Sequence, residues 1–179
     1  MPVIATWSPA DAALGVLVPL GLACAATTGL VIDLDPRGPK VGSGPTLADL
    51  VSDGPTRAQL EPRSGAAAFL SNGGIDPDDA FDVVAAFADR WPAVVLRCSP
   101  RIDEPHEGVT FLPLLPEPYG LKANGNVVYQ RCAFSPRDHP GAPTLPRLTA
   151  RTVRRLLSGQ TPRYRDPWIR ALRDVWELA

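Results

Sequence analysis

Short, uninterrupted apolar runs alternate along this chain with segments that carry helix-start chemistry. Pro2–Trp7 (PVIATW) is an apolar run of strand length. Ser8-Pro9-Ala10-Asp11 follows it, with Ser8 as a cap, Pro9 suited to the first helical position and Asp11 three residues after the cap at the positive helix end. This predicts a helix to about Ala26, ended by Thr27-Thr28-Gly29, with Pro19 placed to kink it. Leu30–Leu34 is a second strand that runs into Asp33-Leu34-Asp35-Pro36-Arg37-Gly38 and a Pro/Gly loop to Pro45. Thr46, with Asp49 three residues on, has capping-box spacing and opens a short helix to about Val51. Ala66–Leu70 is a third strand, closed by a Ser-Asn-Gly-Gly turn.

Asp76-Pro77 starts a further helix, in which Phe81, Val84, Ala85 and Ala88 fall on one apolar stripe before Trp91-Pro92 ends it. Ala93–Leu96 and Val109–Leu112 are again unbroken apolar strands. Residues 113–146 are Pro-rich and irregular, with one strand at Val127–Cys132. Thr149–Ser158 is a helix stopped by Gly159, and Asp166-Pro167 caps a last one. That helix turns Ile169, Leu172 and Val175/Trp176 inward and Arg170, Arg173 and Asp174 outward. Apolar strands alternating with helices predict a single α/β domain over 1–179, a mostly parallel sheet flanked by helices in three layers. Residues 147–179 form its basic C-terminal helical segment, and no internal repeat is present.

Composition narrows the picture. The 179 residues are 45% hydrophobic and 21% charged, a globular balance too short for two full enzyme domains. The net charge of −1 gives no overall basic excess for nucleic acid or a membrane surface. The distribution is uneven: from Arg147 onward eight arginines face three acids, which leaves the preceding stretch at −6. Ala12–Ile32 is 21 residues without a charge, close to the length of a membrane span. Its Gly15, Pro19, Gly21, Thr27, Thr28 and Gly29, and the lack of any Lys or Arg before Arg37, favour instead a buried helix followed by a buried strand. Cys24, Cys98 and Cys132 are odd in number and form no CxxC, and the only histidines are His106 and His139. Neither a disulfide framework nor a zinc site has its ligands, so unpaired thiols in a cytoplasmic protein are expected.

Candidate chemistry is sparse. No GxSxG nucleophile elbow occurs. Cys98, just past a strand, could serve a phosphate cradle, but Glu104 stands where such a site needs Arg. Gly42-Ser43-Gly44-Pro45-Thr46-Leu47 lacks the last glycine of GxGxxG. Asp33 and Asp35 are paired carboxylates at a strand end, able to bind magnesium, to act as acid and base, or to cap neighbouring backbone.

A strand, a helix and a second strand ending in Asp33-Leu34-Asp35-Pro36-Arg37-Gly38 resembles the ParA/MinD family of deviant P-loop ATPases. Thr46-Leu47-Ala48-Asp49-Leu50 looks like the short helix that follows that motif, and Val94–Pro100 lies where the family has an apolar strand ending in Asp-x-x-Pro. The resemblance covers most of the chain, with DLDPRG as its one specific element, and implies a P-loop NTPase-like fold. The departures concern catalysis. Where the family has a Gly-rich loop with Lys, this chain has Ser8-Pro9-Ala10-Asp11-Ala12-Ala13, and its only lysines are Lys40 and Lys122. No Gly-Lys dipeptide exists, so there is no Walker A loop. Asp11 sets a negative charge where phosphates would sit, and Arg97 stands where the family has its magnesium-linked Asp.

The resemblance then implies a non-catalytic pseudo-ATPase, without cofactor and without ATP. It would act as a scaffolding or regulatory subunit of a secretion, pilus or positioning system, through a protein partner or as a homodimer. The expected partner-binding residues are Arg151, Arg155, Arg170, Arg173 and Trp168, since Trp and Arg dominate interface hot spots. Two alternatives stay open. One is a nucleic-acid-associated protein using Arg147, Arg151, Arg154, Arg155, Arg163, Arg165, Arg170 and Arg173. The other is a small α/β enzyme acting near Asp33, Asp35 and Cys98.

Overall fold

A computed structural model describes residues 2–41, 43–62, 67–101, 108–115, 126–135, 139, 141–162 and 165–178. Ala66, Glu104, His106, Lys122 and Arg163, all read above from the sequence, lie outside them. Strands β1 (Val3–Trp7), β2 (Gly29–Asp33), β3 (Ala67–Leu70), β4 (Val94–Arg97), β5 (Val109–Leu114), β6 (Asn126–Arg131) and β7 (Thr144–Leu145) form one sheet. Its order is β3-β2-β4-β1-β5-β6-β7. Every pairing is parallel, so all the carboxyl ends open on one edge. The chain's travel across the sheet reverses beside β1 and β4, the place where open α/β sheets form a crevice.

Alternation along the strands feeds two cores. Val31 and Val95, with Ile4, Phe111 and Val128, pack on one face, while Leu30, Ile32, Leu70 and Val94 pack on the other. The first face is covered by α1 (Ala12–Ala25), α5 (Ala150–Leu157) and α6 (Pro167–Val175). The second is covered by α2 (Leu47–Asp53) and α4 (Phe81–Ala88), with α3 (Arg57–Leu60) beside them. The molecule is thus a three-layer α/β fold.

Helix α1 is apolar on all sides because it lies between the sheet and α6. The uncharged stretch from Ala12 is therefore the buried helix and buried strand expected of it. Among the described residues no helix is long and apolar enough to cross a membrane. Gly21 lets α6 approach: a Cβ there would collide with the Trp168 ring and Leu172.

Three local expectations are corrected. The cap of α1 is Asp11 and not Ser8; the Asp11 carboxylate accepts the backbone N–H groups of Ala13 and Leu14, and Ser8-Pro9-Ala10 precede the helix. The stripe Phe81/Val84/Ala85/Ala88 is not the buried face of α4. Phe81 is 73% exposed, and Ala80, Val83 and Phe87 point inward. The segment opens as a 3-10 turn over Pro77–Ala80, which rotates the phase of the following helix. Finally, α3 and β7 are elements that the hydrophobic pattern did not mark.

Candidate functional site

The carboxyl edge beside β1, β2 and β4 is built on register. Asp33 of β2 and Thr6 of β1 both pair with Arg97 of β4, so the three positions share a row across the sheet. The Arg97 guanidinium bonds Asp33 Oδ1 at 2.6 Å and Asp35 Oδ2 at 3.1 Å. Its Nε donates to the Gly15 carbonyl in the first turns of α1 at 2.8 Å. One cation thus ties β4 to β2, to the loop after β2 and to the helix above. All three side chains are buried, with Asp33 fully enclosed.

The loop after β2 folds around this pair. The Asp35 backbone N–H donates to Asp33 Oδ1, and the Arg37 N–H to Asp35 Oδ1. Gly38 returns its N–H to the Asp35 carbonyl and lies against the pair. A Cβ at Gly38 would collide with the Asp33 carboxylate and the Arg97 guanidinium, so the spacing of the DLDPRG element serves this enclosure. Burial lifts the Asp33 carboxyl above its ordinary 3.8, with Arg97 pulling against that lift. Its Oδ2 has no hydrogen-bond partner, which fits two carboxylates sharing one guanidinium.

These residues do not fit magnesium and nucleotide phosphate. Both carboxylates are turned to Arg97. The free N–H groups of α1 that would receive a phosphate already hold the Asp11 carboxylate. Among the described residues no group of three or more His, Cys, Asp or Glu is arranged to hold a metal ion.

Next to the pair, Leu34, Pro36, Asp76, Pro77, Asp78, Cys98, Ser99 and Arg101 line an open cleft of about 450 Å³. Burial pushes the Cys98 thiol up to about 11, so at neutral pH it is a protonated thiol and a poor nucleophile. Cys24 is likewise pushed up to about 11 by burial, and Cys24, Cys98 and Cys132 are all unpaired.

The expected partner-binding residues separate. Arg151 and Arg155 on α5 meet Arg165 and Asp166 around a pocket between α5 and α6. Arg170 is exposed and Arg173 half-buried on α6, outside that pocket. Trp168 does not share their surface. It is 1% exposed, and its indole N–H donates to Gln130 Oε1 at 2.7 Å. Its ring packs the last helix onto the core, so its bulk serves folding. Trp176 is half-buried, with its indole N–H on the Leu22 carbonyl.

The bridging role of Arg97 was the residue-level feature missed in the sequence. Its signal was a charge closing the apolar run Val94-Val95-Leu96, since a charge at the end of a buried strand needs a partner. No family model matches this chain, and no curated protein matches it.

Proposed function

We propose that the protein is a non-hydrolytic, ParA/MinD-like pseudo-ATPase kept as a scaffolding or regulatory subunit that works by binding other proteins. The observation that carries this reading is the bond of Arg97 to both Asp33 and Asp35. A fixed internal cation occupies the paired carboxylates that could otherwise bind magnesium, and it stands where the resemblance has its magnesium-linked Asp. The Asp11 cap and the absence of a Gly-Lys dipeptide support it from the other side of the crevice. A scaffold whose chemistry is replaced by structure is useful as a surface, and the C-terminal arginines supply one. The reading places the protein in the cytoplasm, where unpaired thiols persist. The secretion, pilus or positioning context comes from the resemblance alone.

The test is calorimetric titration of the full chain with ATP and magnesium, beside an assay for phosphate release. No heat of binding and no release are expected. Micromolar affinity, or release that Asp33→Asn abolishes, would overturn the reading in favour of an enzyme at the strand ends. Charge reversal at Arg170 and Arg173 should weaken capture of a protein partner without lowering the melting temperature by more than about a few degrees.

A further inference from the structure

The surface between α5 and α6 gathers positive charge around one point. Arg151, Arg155 and Arg165 line a pocket of about 170 Å³, with Asp166 in its wall. Arg151 and Arg155 stand four residues apart on α5, the spacing that puts two side chains on one helix face. Like charges at that spacing repel, and among the described residues neither arginine has a salt bridge. Asp166 does not neutralise them. Its Oδ1 accepts the Trp168 backbone N–H at 2.9 Å and its Oδ2 the Thr152 hydroxyl at 2.6 Å. These bonds hold the carboxylate as the cap of α6. Among the described residues, Arg151 and Arg155 set two positive charges without a salt bridge on this lining, which suits a dianion.

We propose that this pocket binds a single phosphate monoester dianion, presented by a phosphorylated side chain of a protein partner. The inference rests on the partner-binding reading of the C-terminal face and names what that face recognises. Guanidinium groups offer paired N–H donors that match the oxygens of a phosphate, and they keep their charge at any physiological pH. The pocket has room for one such group and not for a run of nucleotides. A nucleic acid needs a continuous basic track, whereas the exposed side of α6 sets Asp174 among its arginines.

The full chain is titrated with a phosphoserine peptide, with the same peptide unphosphorylated, with inorganic phosphate and with duplex DNA, all at one moderate ionic strength. Wild type is compared with Arg151→Gln, Arg155→Gln and Arg90→Gln, the last an exposed arginine just after α4 on the opposite face of the sheet, each checked for an unchanged melting temperature. The phosphopeptide should bind and its unphosphorylated twin should not. Inorganic phosphate should compete for the same site. Arg151→Gln and Arg155→Gln should each weaken binding at least about tenfold, while Arg90→Gln leaves it unchanged. The proposal falls if neither the phosphopeptide nor phosphate binds. It falls equally if Arg90→Gln weakens binding as much as the pocket variants, or if DNA binds more tightly with a steep salt dependence. Titration with inorganic phosphate needs no partner. Lost phosphate binding with partner capture intact therefore overturns the pocket alone, and the reverse result overturns the partner reading alone.

Discussion

Arg97 decides the chemistry of the carboxyl edge at the scale of one residue. Taking an ion pair out of water costs several kcal/mol per charge, and the bonds to Asp33, Asp35 and Gly15 offset it. Removing only the cation leaves two enclosed carboxylates, so Arg97→Met should destabilise the protein by about 3–5 kcal/mol in urea unfolding at pH 7. Arg97→Lys should recover only part of this, because an ammonium lacks the planar fork that reaches both acids. The pH dependence of the Met variant has a fixed sign. The Asp33 pKa is already raised in the folded state by burial, so the native protein takes up a proton there more readily than the unfolded chain. The stability deficit should then shrink as pH falls from 7 towards 4. Cys98 gives a second test at this scale. Its thiol lies near 11 against an ordinary 9.0, which cuts the thiolate fraction at pH 8 about a hundredfold. Alkylation of native protein at pH 8, followed by mass spectrometry, should leave Cys98 almost unmodified, whereas the unfolded chain should react at all three cysteines. Rapid native labelling of Cys98 would favour the enzyme reading.

Elements were legible where one physical signal dominated. Strands buried on both faces are apolar at most positions, and β1, β2, β4 and β5 stand out as near-continuous apolar runs. β7 has two residues and sits in Pro-rich surroundings, so no run could mark it. In α1 two residues three apart, Ser8 and Asp11, had capping chemistry, and the hydrogen bonds choose Asp11. In α4 an Ala- and Phe-rich sequence carries two overlapping stripes, and the preceding 3-10 turn selects the one through Val83 and Phe87. The cap at Thr46 is legible in the sequence because its capping box is local. The Thr46 hydroxyl accepts the Asp49 N–H, and the Asp49 carboxylate accepts the Thr46 N–H in return. Those bonds hold the Asp49 carboxyl below its ordinary 3.8. The stabilisation is therefore complete above the unfolded value and is lost as pH falls through the lower, folded one. Asp49→Asn should flatten that part of the acid limb in melting temperatures recorded between pH 5 and pH 2, roughly the span over which a paired carboxylate titrates.

At the scale of the whole molecule, the layer architecture follows from pattern alone, whereas the candidate sites do not. The ion pair depends on strand order, which brings β4 between β1 and β2 although 60 residues separate β2 from β4. The arginine pocket depends on how α5 and α6 pack, and a helix wheel drawn for one helix cannot show a partner on another. The span of Arg97 also bears on how the chain reaches its native state. Its three bonds close separations of 62, 64 and 82 residues, and all require α1, β2 and β4 to be in place together. A buried ion pair that needs three distant segments at once is expected to form after the apolar nucleus. Arg97→Met should accordingly leave the refolding rate almost unchanged and place its whole cost in a faster unfolding rate in stopped-flow chevrons. A refolding rate that falls in proportion to the lost stability would contradict this. By this account Arg97 acts as a latch on the finished fold, setting how long a native molecule stays closed and leaving its route to that state unaltered.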